Sequence, residues 1–200
     1  QTLYSNTGLM LAGHMAERAA ATPWETLMRR EIFEPLGMTS AGFGAPGEPG
    51  RHDQPRGHEM LILSFEPGPG SDNPPALGPA GTVHCSVVDW AKFVQDQVRS
   101  QGSRLITAQT LAMLHQPLDD GTQMHPALGW FAVKRDWAGA GPALWHNGSN
   151  AAWYCVAWLA PRRHGAVVVM CNQAVFADRA CDDVASRLIR QFLFEPGGEQ

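Results

Sequence analysis

The chain is 200 residues long, 44% hydrophobic and 17% charged, with a formal net charge of −4. That composition suits one globular domain with a sizeable core and excludes a disordered or fibrous chain. The mild acidity gives no basis for binding nucleic acid, and no apolar run approaches the ~20 residues of a membrane-spanning helix.

The first recognisable stretch is "YSN" at 4–6, directly before an amphipathic segment. Residues 7–21 place Leu9, Leu11, Met15 and Ala19 near one face, with Glu17 and Arg18 off it, which predicts a helix. Two readings of the opening compete: Asn6 caps the helix beside a packed Tyr4, or a phenol and a carboxamide are aimed at one substrate. A second helix is expected over 22–38, with Thr22 as N-cap, Pro23 first, Glu25 third, and Pro35 and Gly37 ending it. From 40 to 81 Gly and Pro dominate. This predicts a long irregular excursion with a short strand at 58–65, the kind of loop that forms a lid or wall. Ser86 is placed to cap a helix through "VVDWAKFVQDQVRS", and Thr107 to cap another.

In the last third the period changes. "LGWFAVKRD", "ALWHNGS", "AAWYCVAWLAP" and "GAVVVMCNQ" read as three or four antiparallel strands, with "PRRHG" a hairpin turn. The closing stretch, 177–194, predicts a helix with Ala180, Val184, Leu188 and Phe192 on one stripe. Cysteines 85, 155, 171 and 181 form no CxxC pair and are expected to be free, mostly buried thiols.

Several motifs fail. "GFGAPG" at 42–47 matches GxGxxG, but Pro46, Pro49 and Gly50 prevent the helix that a dinucleotide-binding turn must open. "HE" at 58–59 would need a histidine at 62, where Ile62 stands, and the eight histidines show no other ligand spacing. Neither a metal nor a cofactor is expected. No GxSxG is present, and "NGS" at 147–149 has only the form of a glycosylation acceptor.

Other stretches hold together: "YSN" at 4–6, "GPAGTVHCSVVDWAKF" at 78–93, "ALGW" at 127–130, "HNGSN" at 146–150 and "VVVMCN" at 167–172. In that order and spacing the chain resembles the serine β-lactamase and penicillin-binding-protein-like family, specifically its class C and esterase branch, over almost its whole length. The resemblance implies an α+β fold of the α/β sandwich type, an antiparallel sheet with flanking helices beside a helical, loop-rich region. It implies one incomplete domain over 1–200, helical and loop-rich to 126, with strands and a closing helix from 127 to 200. By the same resemblance Tyr4 is the phenol that, with a lysine, takes the proton from a nucleophilic serine. His146 stands where the family has Lys or His, and Ser149 gives a backbone N–H to an oxyanion hole. Asn6, Asn147, Gly148 and Asn150 line the substrate, Asn6 on its acyl side and Gly148 letting the strand approach closely. The expected partner is a small-molecule ester, amide or lactam. Esters are preferred, because a histidine with an ordinary pKa of about 6.5 is largely neutral at pH 7. Trp130, Trp145 and Trp153 are candidates for an apolar wall, with core packing the competing reading for each and the expected one for at least two.

The family's nucleophile lies in Ser-x-x-Lys, upstream of the tyrosine motif. Here the two lysines are Lys92 and Lys134, and the residues three before them are Asp89 and Phe131. The chain begins with Gln1 rather than Met and is expected to be the C-terminal part of a longer or two-piece hydrolase, with the nucleophile in the missing N-terminal segment. Alone, it is expected to be inactive. Its compartment is left open. The alternative is a non-catalytic relative, a binding or peptidoglycan-sensing domain that kept the pocket and lost the serine.

Overall fold

The helix expected near the start runs Asn6–Ala20 (α1) in a computed structural model that describes residues 4–59, 63–119, 121, 125–150 and 152–194. Its cap is Ser5, whose Oγ accepts from the Gly8 N–H at 3.1 Å. The predicted apolar face is not the buried one. Leu11 and Met15 are 59% and 64% exposed, while the buried residue of α1 is Gly13. Pro79 packs there so closely that a Cβ on residue 13 would lie 2.2 Å from its ring. Backbone approach, which only glycine permits, outweighed side-chain hydrophobicity in choosing the face.

The second helix starts later than expected. The Thr22 hydroxyl donates back to the Ala20 carbonyl at 3.0 Å. The first turn of α2 (Trp24–Met28) is capped from outside by Glu17, which accepts from the Trp24 N–H at 2.8 Å. Glu17, expected off the working face, is thus the joint between α1 and α2. The helix continues through a π turn, Arg29–Phe33, into α3 (Glu34–Leu36). Pro35 sits inside it, just after the wider turn, and only Gly37, in the left-handed region at φ 65°, ends it.

In the excursion, β1 (Gly42–Phe43) precedes an antiparallel pair of two-residue strands, β2 (His58–Glu59) and β3 (Leu63–Ser64). The expected single strand over 58–65 is this pair, with residues 60–62 outside the described residues. A 3₁₀ turn, Pro75–Leu77, leads into a short helix not foreseen, α4 (Gly78–Gly81). After it, β4 (Val83–His84) returns to pair with β1.

α5 (Val87–Val98) and α6 (Ala108–His115) start where predicted, Ser86 and Thr107 accepting from the N–H of Asp89 and Thr110 at 3.2 and 3.1 Å. Asp89 is buried and accepts from both the N–H and the hydroxyl of Ser40, each at 2.6 Å, while Lys92 pairs with it at 2.6 Å. Burial alone would raise its carboxyl. The donors from Lys92 and Ser40 outweigh that and hold it at about 2.

The sheet has five strands rather than three or four: β5 (His125–Ala127), β6 (Trp130–Val133), β7 (Ala143–Ser149), β8 (Tyr154–Ala160) and β9 (Gly165–Cys171), an antiparallel meander in chain order. "PRRHG" turns as expected, through a 3₁₀ turn with His164 at φ 55°. α5 covers one face over Leu144, Ala157 and Leu159. α7 (Ala177–Ile189) covers the other over Tyr154, Val156 and Val167. The sandwich is the expected α+β arrangement. The buried stripe of α7 is Ala177, Cys181, Ala185 and Ile189, not the stripe of Ala180, Val184, Leu188 and Phe192. Small residues four apart let the helix lie close on the sheet, leaving Leu188 at the margin and Phe192 66% exposed. The four cysteines are free thiols, Cys181 buried and the others half-buried.

Asp89→Asn should lower stability by roughly 1.5–3 kcal/mol, the range for hydrogen bonds to a charged group, read by urea denaturation. Its carboxyl is held below the unfolded value of about 3.9, so its contribution is present above that pH and lost as pH falls toward 2. The variant should therefore show a shallower loss of stability across that acid window.

Candidate active site

The pairing of β6 with β7 reaches Trp145, opposite Phe131, while β7 runs on to Ser149. The outer edge of His146–Gly148 therefore faces a cleft instead of a neighbouring strand, with β8 behind it pairing His146 with Ala157 and Gly148 with Cys155. Such an edge presents backbone donors and acceptors to an extended ligand. By strand alternation Leu144, His146 and Gly148 share the α5 face, and Trp145 and Asn147 share the α7 face.

Tyr4, directly before α1, meets this edge from the far end of the sequence. Its ring lies 6.2 Å from that of His146 and 6.4 Å from that of Phe131, which stacks 5.9 Å from His146. Tyr4 is 57% exposed and lines the cleft. Asn6 is the first helical residue and lines the same cleft. Because Ser5 supplies the cap, capping does not account for Asn6. Burial lowers the His146 pKa, and a backbone hydrogen bond at Asn147 pulls the other way without overcoming it. The net effect favours the neutral imidazole.

The other expected residues divide. Asn147 donates Nδ2 to the Tyr154 hydroxyl at 3.0 Å. Tyr154 is buried, and burial pushes its phenol above the usual range. Asn150 donates Nδ2 to Asp72 Oδ1 at 2.6 Å, while its own Oδ1 accepts from the N–H groups of Ala152 and Trp153 at 3.3 and 3.1 Å. Its carboxamide, expected on the substrate, is committed to the turn after β7 and to the loop beyond it. Ser149 ends β7 with an exposed side chain.

All three tryptophans line the cleft, while Trp130 also packs into the core under α5 and Trp145 stacks at 5.5 Å on Trp158. Trp153 covers Gly57, where a Cβ would lie 2.6 Å from its ring. The aromatic residue beside Tyr4 and His146 is Phe131, which sequence reasoning missed. Its signal was register, since Phe131 stands opposite Trp145. Asp72 and Tyr154 were missed too, because nothing local marks them. Among the described residues, no three His, Cys, Asp or Glu side chains converge as a metal site would require.

Residues 1–191 match the Beta-lactamase family. Penicillin-binding protein 4 of Amycolatopsis lactamdurans is 26% identical over 205 residues, covering 98% of this chain and 52% of that protein. The solved β-lactamase/D-alanine carboxypeptidase from Pseudomonas syringae superposes with a TM-score of 0.73 at 18% identity, over 96% of this chain and 60% of its own. A class C β-lactamase superposes with a TM-score of 0.74 at 16% identity, over 99% and 58%. These likenesses establish a β-lactamase/transpeptidase-like fold. The chain spans about half the length of the curated relative.

His146 should titrate below 6.5 by NMR of the imidazole. A histidine whose folded pKa is depressed stabilises above its unfolded pKa and loses that stability as pH falls through the folded value. His146→Gln should remove part of the fall in urea midpoint between pH 7 and 5, His115, also lowered by burial, accounting for another part.

Proposed function

We propose that this chain, which belongs to the Beta-lactamase family, forms one side of a serine-hydrolase site that acts through an acyl-enzyme on an ester, amide or lactam, uncharged esters being preferred over penicillin-like carboxylates. The observation that carries the reading is the meeting of Tyr4 and His146 at the open edge of β7. In the proposed reaction a serine Oγ attacks the substrate carbonyl. Tyr4, with a lysine beside it, accepts the serine proton and returns it to the leaving group. The Ser149 N–H, at the end of β7, donates to the oxygen on which negative charge develops, where one donor contributes about 10²–10³ in rate. Asn6 donates to the acyl side, and Gly148 leaves room for the ligand against the strand.

No Ser-x-x-Lys occurs in these 200 residues. The nucleophile and its lysine are therefore assigned to a segment outside them. The same absence supports the second reading, a binding or sensing relative without catalysis. The preference for esters follows from His146. Where a lysine would hold a fixed positive charge for a substrate carboxylate, a neutral imidazole offers a hydrogen bond and little attraction for an anion.

Labelling with a fluorophosphonate or fluorescent penicillin separates these readings. The complete protein should form an adduct, with Tyr4→Phe slowing acylation about 100-fold or more, and the 200-residue chain should form none. An adduct on any of its own serines, seen by intact mass, would overturn these roles. A complete protein that never labels would instead establish the binding relative.

Substrate class is tested by comparing kcat/KM of the complete protein for p-nitrophenyl butyrate and a cephalosporin. The ester should be favoured, and His146→Lys should move the ratio toward the cephalosporin; a wild-type preference for the cephalosporin refutes the ester assignment.

A further inference from the structure

The groups fixed where β7 ends are acceptors more than donors. Asn147 gives its Nδ2 to the Tyr154 hydroxyl at 3.0 Å, which leaves Oδ1, an acceptor, as the carboxamide's other face. Three residues on, both ends of the Asn150 carboxamide are engaged, and its Nδ2, 2.6 Å from Asp72 Oδ1, fixes a carboxylate at the rim of the cleft. Among the described residues lining the cleft, the charged side chains are Glu31, Asp72 and Arg135. Arg135 is remote from this end. It follows Val133, which pairs with Ala143 at the start of β7, and six residues of strand at about 3.3 Å each, roughly 20 Å, separate that point from Ser149. The separation is about two screening lengths in 0.1 M salt. Lys92 is bonded instead to Asp89 and the Gly37 carbonyl.

We propose that Asp72 is a specificity-determining residue of this cleft, which accepts substrates carrying a cationic or hydrogen-bond-donating group near the reacting carbonyl and disfavours carboxylates there. The reacting carbonyl belongs to the acyl-transfer reading above, on which this inference rests, but the charge preference is a property of binding and is measured separately. A carboxylate at the rim attracts an ammonium and repels a second carboxylate, and both effects weaken with salt.

The experiment compares p-nitrophenyl hexanoate, the p-nitrophenyl monoester of adipate and p-nitrophenyl 6-(trimethylammonio)hexanoate as substrates of the complete protein in 0.1 M salt. The order of kcat/KM should be cationic, neutral, anionic, and 0.5 M salt should compress it. Asp72→Asn keeps an oxygen for Asn150 and should narrow the cation-to-anion ratio by about 3- to 10-fold, the effect of one partly screened charge. An adipate ester preferred by the wild type, or a ratio unmoved by Asp72→Asn, overturns the proposal. Binding of choline, which carries no ester bond, and of adipate, followed by tryptophan fluorescence in the same protein, needs no turnover. Tighter choline binding without hydrolysis of any ester counts against the hydrolase reading alone, whereas tighter adipate binding, equal binding or no binding of either removes the assignment of Asp72.

Discussion

The cleft depends on a proline seated where a side chain is missing. Tyr4 and Asn6 ride on the start of α1, and His146 rides on β7, two elements that share neither a sheet nor a core cluster. The segment 72–81 relates them. At one end Pro79 rests on the bare backbone of Gly13, and at the other Asp72 is bonded to Asn150 just past β7. A methyl group at 13 would meet the Pro79 ring at 2.2 Å, far inside contact distance, so the helix or the proline segment would have to give way. Acyl transfer tolerates little of that, since misplacement of a catalytic group by about 1 Å can cost about 10² in rate.

The site is braced from behind as well. Phe131, Trp145, Trp158 and Trp137 form a row of rings 5.2, 5.5 and 6.0 Å apart, running from the Tyr4–His146 contact across the sheet into the core beneath α7. Rings have few rotamers to lose, and offset or edge contacts between them add to area burial. The open edge of β7 thus has a stiff backing, and its shape is set by the meander rather than by the loops around it.

What the sequence disclosed follows from the range of each interaction. The caps at Ser86 and Thr107 were readable because a hydroxyl and an N–H three residues on settle them locally. The cap at Ser5 was missed by one position, since Ser and Asn compete for that place on nearly equal terms. The buried faces of α1 and α7 were misjudged because hydrophobicity was counted without knowing the partner. Where that partner comes close, Gly13, Ala177, Cys181 and Ala185 are chosen over Leu11, Met15, Val184 and Phe192. Tyr4, Asn6 and His146 were readable only jointly, through order and spacing. Asp72 was not, since a residue held by a bond to another 78 positions away carries no mark in its neighbourhood, and Phe131 and Tyr154 are placed only by strand register.

That same separation sets an order of assembly. β7, β8 and β9 join to strands adjacent in the sequence, so their loops close at small entropic expense. The cleft instead requires residue 4 to find 146, 40 to find 89, and 72 to find 150. Contacts of that span form after local ones during folding. Segment 72–81 packs on α1 but is tied to the end of β7 through the Asp72–Asn150 bond, and that joint belongs among the parts that open by local fluctuation before the sheet does. A molecule whose circular dichroism still reports an intact meander can already have lost the alignment of its two halves, and heat or mild denaturant should abolish ligand recognition before it abolishes structure.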